Sequence, residues 1–308
     1  IKEKVIWIAN KKTKKILKGR KIVKLKDLKY YKIQLIITGT SYKFKIDKKL
    51  ILFAKNKKIK SISFIEHWGL YYRRFRYKNT LLLPDKILVN DKIAKHDCIK
   101  EGLPKEKIVI GGNPRLEEIV IKINKIKYKK SNISNLNKKY YKIGKEKKIL
   151  FISEHLKNLQ KNSSDYLGYS EFEVLNSIIN NVKKTNKIFI KLHPSEDVKK
   201  YKKYINQKNI FIDKSFDMIE IIKSYDIIIG MGSMLLLELS VYNKSIFSFR
   251  PNYTKQFIGD RFINIQEINN IKENKLYYSK NLVEKNIKLE NFLGSKNKIL
   301  KIIKNFIK

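Results

Sequence analysis

Short apolar runs alternate with longer amphipathic stretches along most of the chain. Ile33–Ile37, Ser61–Ile65, Lys86–Val89, Ile108–Ile110, Lys148–Ile152, Lys187–Leu192, Ile210–Ile212, Ile227–Ile229 and Ser245–Phe249 read as strands. Apolar runs of this length, bounded by turn residues, fit strands covered on both faces. Val5–Ala9 is a further short candidate. Helical spacing covers Leu50–Lys57, Asp91–Glu101, Glu171–Lys183, Val198–Ile205 and Phe216–Lys223, and Gly102 stops the second of these. Another helix opens at Ser233, after a turn carrying Gly230 and Gly232, and the tail Asn281–Lys308 is helical by pattern. Strands alternating with helices at this spacing predict the α/β class with parallel sheets. The stretch Lys122–Lys147 breaks the pattern, being rich in Lys, Asn and Ser with no steady apolar period. It reads as a linker or insertion. The chain therefore divides into an α/β domain over 1–121, a linker over 122–147, and a second α/β domain with terminal helices over 148–308.

Composition changes this picture in one respect. The 308 residues carry a formal charge of +42, but only seven of the 70 basic residues are arginine. Lys, Ile, Asn and Tyr are all abundant, the pattern of an AT-rich genome, so much of the charge is read as codon bias on solvated faces. No zinc-finger spacing, basic zipper or aromatic RNA-binding signature is present, and a nucleic-acid interface would favour arginine forks. Nucleic acid is therefore not an expected partner. An anionic membrane surface is, because a positive surface attracts acidic lipid. The single cysteine, Cys98, excludes an internal disulfide framework and fits a reduced, cytoplasmic setting. No apolar run reaches the roughly 18 residues of a membrane span, and no stretch reads as a signal peptide.

Chemistry-bearing residues collect at predicted strand ends, where open α/β sheets bind ligands. In Lys191-Leu192-His193-Pro194, proline fixes the turn and directs His193 outward, where an imidazole can hydrogen-bond a phosphate. Ser153-Glu154-His155 ends the neighbouring strand. Gly230–Ser233 leaves backbone N–H groups free for an anion, with Ser233 as N-cap and Glu238 within reach of a ribose. In the first domain Glu66-His67-Trp68-Gly69 offers a carboxylate and an imidazole as general bases. Arg73, Arg74 and Arg76 follow as a grip for an anionic substrate, and Gly111-Gly112-Asn113-Pro114-Arg115 ends the domain's last strand. Each group also has a plain structural reading, as a loop, cap, hinge or solvated face. No Walker loop, strand-linked G-x-G-x-x-G, D-x-D, H-E-x-x-H or G-x-S-x-G occurs. No metal site and no cofactor are therefore expected.

Taken in order over about Ser61–Phe249, these segments resemble the two-domain GT-B superfamily, in the branch of non-hydrolysing UDP-N-acetylglucosamine 2-epimerases and bacterial surface-polysaccharide transferases. Phe64–Tyr72 resembles the epimerase HVEAGLR segment, with Glu66 on its glutamate. Ile108–Glu118 resembles the GN-x-x-x-D turn, Phe151–Asn158 the HR-x-EN segment, and Gly230–Leu239 the SGG-x-QEE turn and helix. The arginine of HR-x-EN is missing here, and so are the epimerase's N-terminal aspartate motif and its proline-glutamate-glutamate segment. Lys191–Pro194 and Ser233 resemble the His-Pro and downstream Ser motifs of bacterial sialyltransferases, capsule Kdo transferases and CDP-glycerol-type transferases. The resemblance implies two Rossmann-like parallel-sheet domains facing a cleft, with the last helix crossing back to the first domain. It also implies a metal-independent glycosyltransferase that joins a nucleotide-sugar donor to a glycan acceptor. Glu66 would be the base and His193 the phosphate ligand. Lys191, Pro194, Gly232, Ser233, Glu238, Ser153 and His155 would bind donor, and His67, Arg73 and Arg74 acceptor. A sugar-nucleotide 2-epimerase, and a non-catalytic glycan- or membrane-binding protein, stay open as alternatives.

Overall fold

The computed structural model describes residues 5–9, 14, 17–41, 46–129, 146–156, 167–194, 196–215, 217–240, 245–251, 266–268 and 289–307. They belong to two compact units, one of Ile1–Pro114 with Gly294–Lys308 and one of Arg115–Leu293.

The first unit is built on four parallel strands, β1 (Leu35–Thr38), β2 (Lys60–Phe64), β5 (Lys86–Val89) and β6 (Ile108–Ile110), in the order β1-β2-β5-β6. The central strand β5 is apolar throughout its buried part, with Ile87, Leu88 and Val89 all inside. Helix α1 (Ile46–Asn56) follows β1 and turns Leu50, Ile51 and Ala54 inward. Between β2 and β5 lie α2 (Tyr71–Phe75) and the antiparallel pair β3 (Arg76–Tyr77) and β4 (Thr80–Leu81), none of which has a periodic signature in the sequence. Helix α3 (Lys92–Lys100) begins where Asp91 caps it, accepting from Ala94 N at 2.7 Å. Its Ala94 and Cys98, one turn apart, are fully buried, and burial pushes the Cys98 thiol up to about 12. Val5–Ala9, expected as a strand, makes only an isolated bridge between Trp7 and Ile22.

Helix α4 (Pro114–Lys129) overrides the domain boundary read from the sequence, which falls inside it. Leu116, Ile119, Val120 and Ile123 are buried at helical spacing, so an apolar stripe persists under the lysines. Residues 130–145 of the expected linker lie outside the described residues.

The second unit holds six parallel strands: β7 (Lys148–Ile152), β8 (Lys187–Lys191), β9 (Ile210–Asp213), β10 (Ile227–Gly230), β11 (Ser245–Phe249) and β12 (Gln266–Ile268). Their order is β12-β11-β10-β7-β8-β9. Helix α5 (Glu171–Asn181) opens with a capping box, in which Ser170 accepts from Glu173 N and Glu173 reaches back to Ser170 N. The expected helix Val198–Ile205 starts as a 3₁₀ turn and becomes α6 (Lys202–Ile205). Helices α7 (Met218–Ser224) and α8 (Met234–Leu239) flank β10. Ile149, Phe151, Ile188, Ile190, Ile227 and Ile229 form the centre of this unit's core.

Helix α9 (Ser295–Ile307) belongs to the first unit, which corrects its placement with the second domain and agrees with the crossing helix that the resemblance implies. Its start is pinned where Asn113 N donates to Ser295 Oγ at 3.0 Å, and its end where Lys60 Nζ donates to Phe306 O at 2.8 Å. Gly112 has φ +91°, and a Cβ there would run into Ser295, so only glycine fits this contact. Residues 281–288 of the expected tail helix lie outside the described residues.

Candidate functional site

The second sheet reverses its direction of growth once. From β7 the chain builds outward through β8 to β9, then returns to the other side of β7 and builds through β10 and β11 to β12. The C-terminal ends of β7 and β10 therefore form the switch point at which such sheets bind ligands. Three loops leave the sheet there or one strand away: Ser153–His155 after β7, Leu192–Pro194 after β8, and Met231–Ser233 after β10. All of the donor residues expected from the sequence lie on these loops, at the end of β8 (Lys191), or on α8 (Glu238).

A cavity of about 810 Å³ opens among the second unit's residues, within the usual range for a small-molecule site. Lys191, His193, Pro194 and Glu238 line it, together with Arg115, Glu196 and Asp213, and Ile212, Ile219 and Leu235 contribute apolar wall. His193 and Pro194 are exposed. Ser153, His155, Gly232 and Ser233 are not part of the lining.

Two of the cavity's cations pair with two of its own carboxylates. Lys191 Nζ meets Asp213 Oδ2 at 2.8 Å and also donates to Ser215 O. Burial pushes the Asp213 carboxyl up, but donation from Lys191, Ser215 and Tyr225 outweighs it and holds the group below its ordinary range. Arg115 grips Glu238 with two bonds, Nε to Oε1 and a terminal nitrogen to Oε2, each 3.2 Å, and this pairing raises the Arg115 pKa. Ser153 is buried, bonded to Glu196 and Tyr201. Ser233 caps α8, accepting from Leu235 N at 3.1 Å.

In the first unit, Glu66 follows β2. Its backbone carbonyl accepts from Asn90 Nδ2 at 3.1 Å and Asn113 Nδ2 at 3.4 Å, groups that follow β5 and β6. Its carboxylate is 70% exposed and lies 3.8 Å from the half-exposed His67 imidazole. Three strand ends thus fix the backbone while the side chain stays accessible. Arg73 is exposed. Arg74, expected at an acceptor, is instead buried. Its guanidinium donates to Thr40 O at 2.7 Å and Gly69 O at 3.1 Å, bracing the loops after β1 and β2.

No family model matches the chain, and no curated protein does either. Solved structures do. The chain is similar to UDP-N-acetylglucosamine 2-epimerase from Rickettsia bellii at 17% identity and TM-score 0.59, covering 92% of this chain and 76% of that one. HepE of Anabaena, in complex with UDP-glucose, matches at 7% identity and TM-score 0.57 over 97% of this chain and 90% of its own. The wall teichoic acid polymerase TagF matches at 13% identity and TM-score 0.54 over 98% and 80%. The fold is of the GT-B type.

In this GT-B chain the turn after β10 holds a carboxylate of the protein's own. Glu154 Oε1 accepts from Gly232 N at 2.6 Å, and the N–H groups of Met231 and Ser233 add to the interaction. A phosphate at this turn has to displace it. Burial pushes the Glu154 carboxyl up. The three N–H groups oppose that and the charge of Glu196 adds to it, with the result at about 7 against an ordinary 4.5. A carboxyl raised on folding stabilises the native state below its unfolded pKa, and that contribution is lost as pH rises through the folded pKa. Wild type is therefore expected to lose about 3 kcal/mol more stability between pH 4.5 and pH 8 than Glu154→Gln does. Urea unfolding of both proteins across that interval checks it. Parallel pH profiles would show that Glu154 is not buried as an ionisable group.

Proposed function

We propose that this chain is a glycosyltransferase that moves a sugar from a nucleotide-sugar donor to a growing surface glycan, of the capsule or lipooligosaccharide kind. The observation that carries the reading is a ligand-sized cavity one strand away from the second unit's switch point, at the ends of β8 and β9, lined by Lys191, His193, Pro194 and Glu238. In this proposal His193 donates to the leaving diphosphate, Lys191 supplies positive potential beside it, and Pro194 holds the turn. Glu238 accepts from the ribose, exchanging its Arg115 partner for the sugar hydroxyls. Gly232 and Ser233 take up phosphate oxygen once Glu154 leaves the turn, and His155 stands beside that turn. The first unit binds acceptor, with Glu66 as general base and His67 and Arg73 as contacts. Differential stabilisation of charge as it develops on the leaving phosphate is the main catalytic effect.

Charge neutralisation by these side chains needs no metal, and among the described residues no three His, Cys, Asp or Glu groups converge as metal ligands. The test is thermal shift against a panel of nucleoside diphosphates and nucleotide sugars, each with and without EDTA. A ligand at 100 times its Kd should stabilise the native state by about 2.7 kcal/mol, and the shift should survive EDTA. No shift with any nucleotide would sink the donor site. A shift abolished by EDTA and restored by Mg²⁺ or Mn²⁺ would sink the metal-free mechanism.

The likeness to epimerase structures supports a second reading, a sugar-nucleotide 2-epimerase. Incubation with UDP-N-acetylglucosamine alone separates the two, since an epimerase needs no acceptor. Binding that vanishes with salt and shows no nucleotide saturation would instead mark a glycan- or membrane-binding protein. Among the described residues no helix is long and apolar enough to cross a membrane. The formal charge of +42 supports work at the cytoplasmic, anionic face of a membrane.

A further inference from the structure

Behind His193 lies a buried charged cluster that the proposed reaction does not use. The Glu196 side chain has no exposed surface, yet both of its oxygens are engaged. Oε2 accepts from His193 N at 2.8 Å. Oε1 accepts from Ser153 Oγ at 3.1 Å and from Lys200 Nζ. Lys200 in turn pairs with Glu171, itself fully buried, and its ammonium lies 5.3 Å from the centre of the Tyr201 ring. Glu196 N also donates to His193 O at 2.8 Å, so the turn is closed by backbone and side chain together. One carboxylate thus joins the loop after β7, the loop after β8 and the segment that leads into α6.

A turn of this size needs only its backbone bond to close. Burying a carboxylate is costly unless each oxygen is paired, and an apolar side chain of like size is often as stabilising. What the carboxylate adds is a fixed position for the His193 backbone relative to the strand ends of β7 and β8. We propose that Glu196 is the positioning residue that sets where the His193 imidazole stands in the cavity. Ser153, expected to touch the donor, then acts through Glu196 instead. The proposal rests on the donor reading for its purpose, but its geometry can be tested separately.

The experiment reads the ring carbon–proton correlations of the four histidines in labelled protein, with His193→Ala assigning one of them. In Glu196→Gln one acceptor oxygen becomes an NH2 donor, which meets either Lys200 Nζ or His193 N donor to donor, whichever way the amide is turned. The His193 correlation should shift or broaden, while those of His67 and His96 in the first unit stay fixed. Titration with UDP should show at least roughly tenfold weaker binding than wild type, as expected when a charge-assisted contact is misplaced. A merely structural role would lower the melting temperature and leave the His193 resonance of the folded protein unmoved. Ser153→Ala, which removes one hydroxyl, should move the same resonance less and in the same direction. An unmoved His193 correlation in both folded variants overturns the proposal. If Glu196→Gln does not fold, Ser153→Ala alone decides. If wild type does not bind UDP, the donor reading loses that ligand, and the resonance still decides the role of Glu196.

Discussion

His193→Ala is expected to cut turnover by on the order of 10²-fold or more and to leave folding nearly unchanged, as loss of one preorganised transition-state donor does. The ring is exposed at a cavity wall, so its removal empties no core and should move stability by no more than about 0.5 kcal/mol. Its backbone N–H is held by Glu196, and that bond survives in the variant. The loss should fall on kcat more than on affinity for the intact nucleotide sugar, because the leaving phosphate gains charge only as the bond breaks. His193→Gln, which keeps a donor, should recover part of the rate. Steady-state kinetics beside circular dichroism measures both sides of the claim. A folded variant with the turnover of wild type would remove His193 from the reaction.

Much of the sheet was legible because its strands are short, apolar and bounded by glycine or charge. Lys86–Val89, Ile108–Ile110, Lys148–Ile152 and Ser245–Phe249 have the same bounds in sequence and structure. The end of α4 was hidden by composition. Of its buried stripe, Leu116, Ile119 and Val120 precede the Lys-rich stretch, in a segment read only as following a turn, and Ile123 lies inside that stretch between the exposed Lys122 and Lys125. The switch point was hidden for a different reason. Strand order is a property of pairing, and nothing local to β10 says that it returns to lie beside β7. The electrostatics of the site share that limit. Lys191 with Asp213, and Glu154 with Gly232, are 22 and 78 residues apart, so their pairing leaves no local pattern. Glu196, three residues after His193, was close enough to notice as an acid near the motif. Its burial, which gives it a role, depends on Lys200 and Ser153 converging on it. Arg74 shows the reverse case, since a run of arginines looks like an anion grip until one of them is found bonding two carbonyls inside the unit.

Glu66→Gln should bind nucleotide with near wild-type affinity and turn over roughly 10²-fold more slowly, the lower end of what a general base contributes. The substitution keeps size and hydrogen-bonding capacity and removes only the charge and the proton affinity. The backbone at this position is pinned by Asn90 and Asn113 through its carbonyl, and neither contact involves the carboxylate. The variant should therefore fold as wild type does. The carboxylate is 70% exposed, 3.8 Å from the His67 ring, and so is accessible to an acceptor hydroxyl. If Glu66 is only a surface acid, both quantities should hardly move, since exposed ion pairs contribute about 0–1 kcal/mol. Weakened nucleotide binding with unchanged turnover would assign Glu66 to the donor and leave the base to be sought at His67, Glu154 or His155. Isothermal titration with UDP and steady-state kinetics on this one variant distinguish the three outcomes.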